Sequence, residues 1–225
     1  VNETLEQQKP RWGEPFRLPG EKFDTCRMFD NDFVEKFTRI HPLTPFVVYV
    51  PVLSYFLYRA WTVHELGLGT IVGMFVVGML IWSFSEYVLH RWVFHWINET
   101  PRGKRIHFLL HGVHHDFPSD KDRLVMPLLT SVPFAVIFFY VIHFVCGWRL
   151  GDPAYAGFAL GYLAYDGTHY AVHHFKQTTR IGKFLKRHHM LHHHADHDGG
   201  FGVSSPLWDI VFRTMPSVKK LAAKR

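Results

Sequence analysis

Hydrophobic and polar positions fall into long blocks along this chain. Four apolar runs stand out: residues 45–61 (PFVVYVPVLSYFLYRAW), 70–89 (TIVGMFVVGMLIWSFSEYVL), 128–146 (LLTSVPFAVIFFYVIHFVC) and 154–165 (AYAGFALGYLAY). A bilayer core of about 30 Å needs about 20 helical residues. The second and third runs meet that length and the first nearly does. The fourth does so only by continuing through Asp166, which must then sit inside a bundle or near the interface. Runs this long and uncharged are rare in soluble cores. The pattern therefore predicts an all-α integral membrane protein with about four transmembrane helices. A mean hydropathy of −0.02 fits if half of the chain is a polar domain at the membrane surface.

The links near residues 62–69 and 147–153 are short and lie on one side, and the other polar segments lie on the opposite side. Of the 25 Lys and Arg, only Arg59 and Arg149 fall on the side of the short links. That asymmetry puts the large polar part in the cytoplasm, with its basic face toward anionic headgroups. The expected organisation is an N-terminal cytosolic or interfacial segment (1–42), a membrane domain with a cytosolic cap (43–216) and a basic tail (217–225). Within the first, residues 30–40 (DNDFVEKFTRI) read as a short amphipathic helix, lying on the membrane surface or docking on the protein. The first 40 residues are mixed and charged, unlike a secretory leader. The net charge of +6 comes without a nucleic-acid-binding motif, so a lipid surface is the expected partner and no nucleic acid is. The two cysteines form neither a zinc-ribbon spacing nor a disulfide framework.

The chemistry lies in 18 histidines, most of them in tight groups. His90 and His95 form the first. His107, His111, His114 and His115 form the second, and His169, His173 and His174 the third. The fourth, HHMLHHHADH from His188 to His197, holds six histidines in ten residues. Residues three and four apart share a helix face. His111, His114 and His115 have that spacing, His189, His192 and His193 repeat it, and His169 and His173 are four apart. His90 and His95 are five apart, which suits a helix end or a break. Each group is thus expected to aim two or three imidazoles at a common point. Burying many unpartnered imidazoles is costly, and a transition metal removes that cost. Ten suitably spaced histidines exceed the ligand number of one ion, so two metals are expected. A hydrolytic zinc site uses three protein ligands and one open position. Ligation by histidine at this density points instead to a redox pair, iron in the first place, that activates dioxygen. The Glu-x-x-His motifs of carboxylate di-iron bundles are absent. The isolated His41, His64 and His143 read as structural.

These motifs, EYVLHRWVFH, HFLLHGVHHDFP, GYLAYDGTHYAVHH, HHMLHH and GFGVSSPLWDIVF, resemble the signature of the membrane fatty acid hydroxylase and sterol desaturase superfamily. The likeness is greatest to its fatty acid 2-hydroxylase branch and covers about residues 40–216. It implies a four-span helical protein with a histidine-rich dimetal cap and O2-dependent hydroxylation at carbon 2 of a long-chain acyl group, in a ceramide or other sphingolipid or in a free fatty acid. The ligands it implies are His90, His95, His111, His114, His115, His169, His173, His189, His192 and His193, the ten that spacing selects. Two iron ions are expected in the active form, with zinc able to replace them in purified protein. No haem-binding His-Pro-Gly-Gly motif occurs, so electrons are expected from a separate donor such as cytochrome b5 or a ferredoxin-type protein, or from a trimmed segment. The expected location is the endoplasmic reticulum in a eukaryote or the inner membrane in a bacterium. Glu86, one turn before His90, and Asp166, three residues before His169, could each accept the free ring N–H of a ligand histidine. Tyr165 and Tyr170 could line a substrate entrance, and His107 and His174 could contact ligands or substrate. A sterol oxidase or another lipid oxidase or desaturase of the superfamily could use the same histidines. A histidine-rich metal transporter would need polar ligands along its spans, which are nearly free of them.

Overall fold

The computed structural model describes residues 13–218 except Pro19, Phe23 and Ile97, so the 217–225 tail lies almost wholly outside the described residues. The chain opens with a two-stranded antiparallel sheet, β1 (Pro15–Arg17) and β2 (Asp24–Cys26), pairing Phe16 with Thr25. It is the one departure from an all-helical fold among the described residues. The amphipathic segment at 30–40 is helical only over α1 (Asp32–Lys36), where the Asn31 side chain accepts from the N–H groups of Phe33 and Val34.

The apolar runs form three long elements: α2 (Thr44–Thr62), α3 (Leu68–Val88) and α6 (Leu128–His174). At Gly147 (φ 73°, ψ 161°) the last of these breaks into two helices, residues 128–146 and 148–174. A positive φ is open to glycine without a Cβ clash, and here it folds the chain back on itself. Phe138 meets Phe158 (4.6 Å between ring centres), and the Tyr155 hydroxyl donates to the Ala135 carbonyl (3.1 Å). The expected link at 147–153 therefore shrinks to one residue, and residues 148–153 are helical. Among the described residues two helices are long and apolar enough to cross a membrane, Leu68–Phe94 and Leu128–His174, the second being this hairpin.

Tyr49, Trp82, Ile142, Tyr155, Phe158 and Tyr162 form the core between these helices. The closest crossing joins α3 to residues 148–174. A Cβ at Gly78 would stand 1.8 Å from the Ala154 carbonyl oxygen, and one at Gly157 would stand 1.9 Å from that of Phe75. Only a hydrogen fits at either position.

One end of the bundle is closed by a buried acid. Asp152 is fully buried; its Oδ2 meets Arg59 Nε (3.2 Å) and His64 Nε2 (3.0 Å), and its Oδ1 meets His143 Nε2 (3.0 Å). His64 and His143 are structural, as expected from their isolation. Removing one partner from such a cluster leaves uncompensated polar groups and costs about 3–5 kcal/mol. Asp152→Ala is expected to lower the thermal midpoint in detergent markedly. Its metal content should stay unchanged, because 17 helical residues, about 26 Å, separate Asp152 from His169. Loss of metal at an unchanged midpoint would contradict this assignment.

Candidate metal centre

At the other end, α3 does not stop at Val88 but continues as a π-helical turn, Leu89–Phe94. Such a turn bonds residue i+5 to residue i, and the His95 N–H donates to the His90 carbonyl at 3.1 Å. It therefore puts residues five apart on one face, and the His90 and His95 rings lie 5.0 Å apart. The five-residue spacing falls at the end of the helix, as expected: its last turn is widened and His95 caps it. The next elements are α4 (Pro101–His107), a second π turn (Phe108–Gly112) that carries His111, and α5 (Val113–Asp116) with His114 and His115. Residues 148–174 supply His169 and His173 at their end, and α7 (Arg180–His194) supplies His189, His192 and His193.

The ten histidines gather into two groups of five: His90, His95, His111, His115 and His192, and His114, His169, His173, His189 and His193. Within each group the offered ring nitrogens lie within 4.8 Å of one another. Each sequence motif sends two of its imidazoles to one group, as its spacing predicts. The i, i+4 pairs stay together (111 with 115, 169 with 173, 189 with 193), while the members at i+3, His114 and His192, turn into the opposite group. A step of three residues rotates about 60° from a step of none, enough to serve a second centre.

The contacts within the groups test what they hold. His111 Nε2 lies 3.0 Å from both His90 Nε2 and His115 Nε2. His114 Nε2 lies 2.9 Å from both His169 Nε2 and His193 Nε2, and His193 Nε2 is 3.0 Å from His189 Nε2. A ring nitrogen has one lone pair or one proton, so it cannot hydrogen-bond to two others at once. Two metal–nitrogen bonds of about 2.0–2.1 Å at right angles place their nitrogens about 3.0 Å apart. Burial, reinforced by neighbouring imidazoles, pushes His95 down to about 3 and His115 to about 2. Burial also takes His192 to about 4 and holds His111, His114 and His189 well below the ordinary value. The rings are thus neutral at pH 7, as metal ligation requires, and the donor set fits a transition metal in each group.

Backbone carbonyls orient two of these rings. His90 Nδ1–H donates to the Phe201 carbonyl (2.6 Å) and His192 Nδ1–H to that of Gly199 (2.8 Å), which turns each Nε2 lone pair inward. The 199–204 loop is itself held by two acids. Asp209, on α8 (Leu207–Val211), accepts from the N–H groups of Phe201 (3.0 Å) and Gly202 (2.8 Å), from Thr214 Oγ1 (2.7 Å) and from His188 Nε2 (3.1 Å). Glu86 accepts from the N–H groups of Val203 (2.6 Å) and Ser204 (2.8 Å) and from the Ser204 hydroxyl. Glu86 therefore contacts no histidine, contrary to expectation: its oxygens turn to the loop. Asp166 also makes no hydrogen bond to a histidine; the Tyr162 hydroxyl and the Met126 backbone face it. Asp209 was not anticipated, and its signal was a lone acid in the apolar stretch LWDIVF. Asp209→Ala strands four donors and frees the loop. Metal affinity is expected to fall about 10–100-fold, measured by competition with a chelator; an unchanged affinity would remove the loop from the metal-binding apparatus.

Tyr165 is buried, its ring 5.6 Å from His169, and it lines a cavity with His111, His114, His169, Phe94 and Met126. Tyr170 does not line that cavity; it packs on His174 (4.5 Å) and Phe175 (5.8 Å). His107 is half-buried with its ring 6.4 Å from that of His95, and both His107 and His174 stay outside the two groups. His194 and His197 are exposed. A second, apolar cavity lies between the helices, lined by Tyr49, Trp82, Phe134, Phe138 and Phe158, and Met126 borders both cavities.

Residues 75–214 match the family model described as fatty acid hydroxylase, and they include all ten clustered histidines. A dihydroceramide fatty acyl 2-hydroxylase of Arabidopsis thaliana is 38% identical over 86% of this chain and 81% of its own length. The fatty acid 2-hydroxylase of Mus musculus is 33% identical over 95% of this chain and 65% of its own. A solved structure described as full-length scs7p, with only the hydroxylase domain visible, superposes with a TM-score of 0.80 at 34% identity, over 86% of this chain and 73% of that one. The chain belongs to the fatty acid hydroxylase family.

Proposed function

We propose that this chain is an O2-dependent di-iron membrane hydroxylase that adds a hydroxyl at carbon 2 of a long-chain acyl group, in a ceramide or a related lipid. The observation that carries this reading is the pair of five-histidine groups beside a cavity that borders an apolar one. The names of its relatives support the choice of carbon and of lipid class. In this reading α2, α3 and the two halves of α6 span the bilayer, with the histidines on the cytoplasmic side. Two irons held by the ten histidines would supply dioxygen activation, given two external electrons and two protons, and zinc can take the same donors in purified protein.

The rest of the work falls to the chain. The apolar cavity receives the acyl tail between Trp82, Phe138 and Phe158, so that the tail stays in the bilayer. Its carbonyl end reaches the histidine-lined cavity past Met126, and Tyr165 packs the wall between substrate and His169. The cap shields the reacting carbon from bulk water, and the Phe201 and Gly199 carbonyls hold His90 and His192 in one tautomer. The test is anaerobic iron loading, followed by turnover of ceramide in bilayer discs under 18O2 with a chemical reductant. One 18O at carbon 2 is expected. A product oxidised elsewhere, a desaturated product or a hydroxylated sterol would replace this reading with another of the superfamily.

A further inference from the structure

We propose that the basic groove outside the second histidine group is the docking surface of an acidic one-electron carrier protein. The inference rests on the hydroxylase reading and names the partner which that chemistry needs. From Gly167 to Ala195 the chain has no Asp or Glu but carries Lys176, Arg180, Lys183, Lys186 and Arg187. Four of these cations, with His174 and Phe175, line one open groove. Among the described residues no carboxylate stands within ion-pair distance of them. The cations of the groove are therefore not engaged in close ion pairs among the described residues, although Asp120 lies near His174 at its rim, and a cluster of such cations raises the encounter rate with an acidic partner.

Its direction separates a protein partner from the membrane. At about 100° per residue, Ile181, Phe184, Leu185 and His188 form one stripe of α7. Ile181 is 74% exposed and Phe184 46% exposed, and α8 also exposes Leu207, Ile210 and Val211. These apolar residues suit the lipid surface. Lys183 and Arg187 lie about 130° round the helix from that stripe, on the side turned from it. Lys186 lies between them and the face that carries His189 and His193. Its ammonium reaches the Phe175 carbonyl (3.2 Å) and acts electrostatically on His173. A carrier seated here would stand directly outside the second group.

The electron count requires a one-electron source. Hydroxylation balances as R–H + O2 + 2 e⁻ + 2 H⁺ → R–OH + H2O: the C–H and O–O bonds break, one oxygen enters the alcohol and the other leaves as water. Solvent supplies the protons. The two cysteines, Cys26 and Cys146, are both free and form no disulfide that could relay electrons. The carrier is oxidised twice, by one electron each time.

The test uses the full chain in bilayer discs, loaded with iron, and the triple variant Lys176→Glu/Lys183→Glu/Arg187→Glu. The probes are the soluble haem domain of cytochrome b5 and a [2Fe–2S] ferredoxin. The wild type is expected to bind at least one probe, more weakly as salt rises, and the variant to bind it at least 10-fold more weakly with a flatter salt dependence. Turnover with a chemical reductant and metal content should match the wild type. Equal binding by variant and wild type, or binding of neither probe, would overturn the proposal. So would a variant that changes only its response to the anionic lipid content of the disc. If no hydroxylated product forms with the chemical reductant while carrier binding still responds to charge reversal, the hydroxylase reading fails and the docking surface stands.

Discussion

In His114→Ala protein, the metal content is expected to fall from two ions per chain to one or fewer, and 2-hydroxy product by more than about 100-fold. His114 sits at the centre of its group, with its Nε2 2.9 Å from the Nε2 atoms of both His169 and His193. It is buried on α5, and truncation to alanine removes its ring nitrogen from the centre of the group. His111→Ala should do the same to the other group. His197→Ala is the control: its ring is 5.6 Å from that of His115, but it is exposed and belongs to neither group. Metal analysis of the three proteins decides the matter. Two ions retained in His114→Ala, or one lost in His197→Ala, would redraw the ligand set.

The second large effect is acid lability of the metal-free cap. His95, His115 and His192 are pushed by burial to about 3, 2 and 4 in the folded protein, against about 6.5 when unfolded. Below 6.5 the unfolded chain takes up protons that the folded chain refuses, so stability falls as pH drops and goes on falling until each folded value is passed. Each such histidine costs about 1.4 kcal/mol per pH unit, so the three together cost about 4 kcal/mol by pH 5.5. Asp209 does not offset this. Burial opposes its charge, but hydrogen bonds from His188 and Thr214 still hold its carboxyl below the usual range. Its contribution is therefore constant through this window and is lost only in stronger acid. Metal-free protein should show a sharply falling unfolding midpoint between pH 7 and 5.5, followed by tryptophan fluorescence in detergent. Metal-loaded protein should hold its midpoint further into acid, because protons must first displace the ions. A flat midpoint in the metal-free protein would mean that these rings are not kept neutral by the fold.

The first three apolar runs placed their helices to within a few residues, because their length and lack of charge leave few other structures; the fourth, 154–165, is only the middle of a helix that runs over 148–174. The same histidines that spacing selects are the ones the fold gathers. Three things were not legible. The π turns at Leu89–Phe94 and Phe108–Gly112 depend on a change of hydrogen-bond register, and residue type does not encode it strongly. The division of His111 from His114, and of His189 from His192, requires two centres in space, and helical spacing specifies only a face. Glu86 and Asp209 both hold the 199–204 loop, whose path no local pattern reveals.

The contact at Gly78 and Gly157 reaches beyond packing. α3 leads into the turn that carries His90 and His95, and residues 148–174 end with His169 and His173, one pair for each group. Because backbone meets backbone where these helices cross, they can slide past each other only by breaking van der Waals contact. The distance between the two histidine groups is thus gauged by the main chain, about 20 Å along the helices from the rings, and not by the adjustable side chains that make up the groups. Alanine at either glycine would push the helices apart and change the spacing of the pair while leaving every ligand in place.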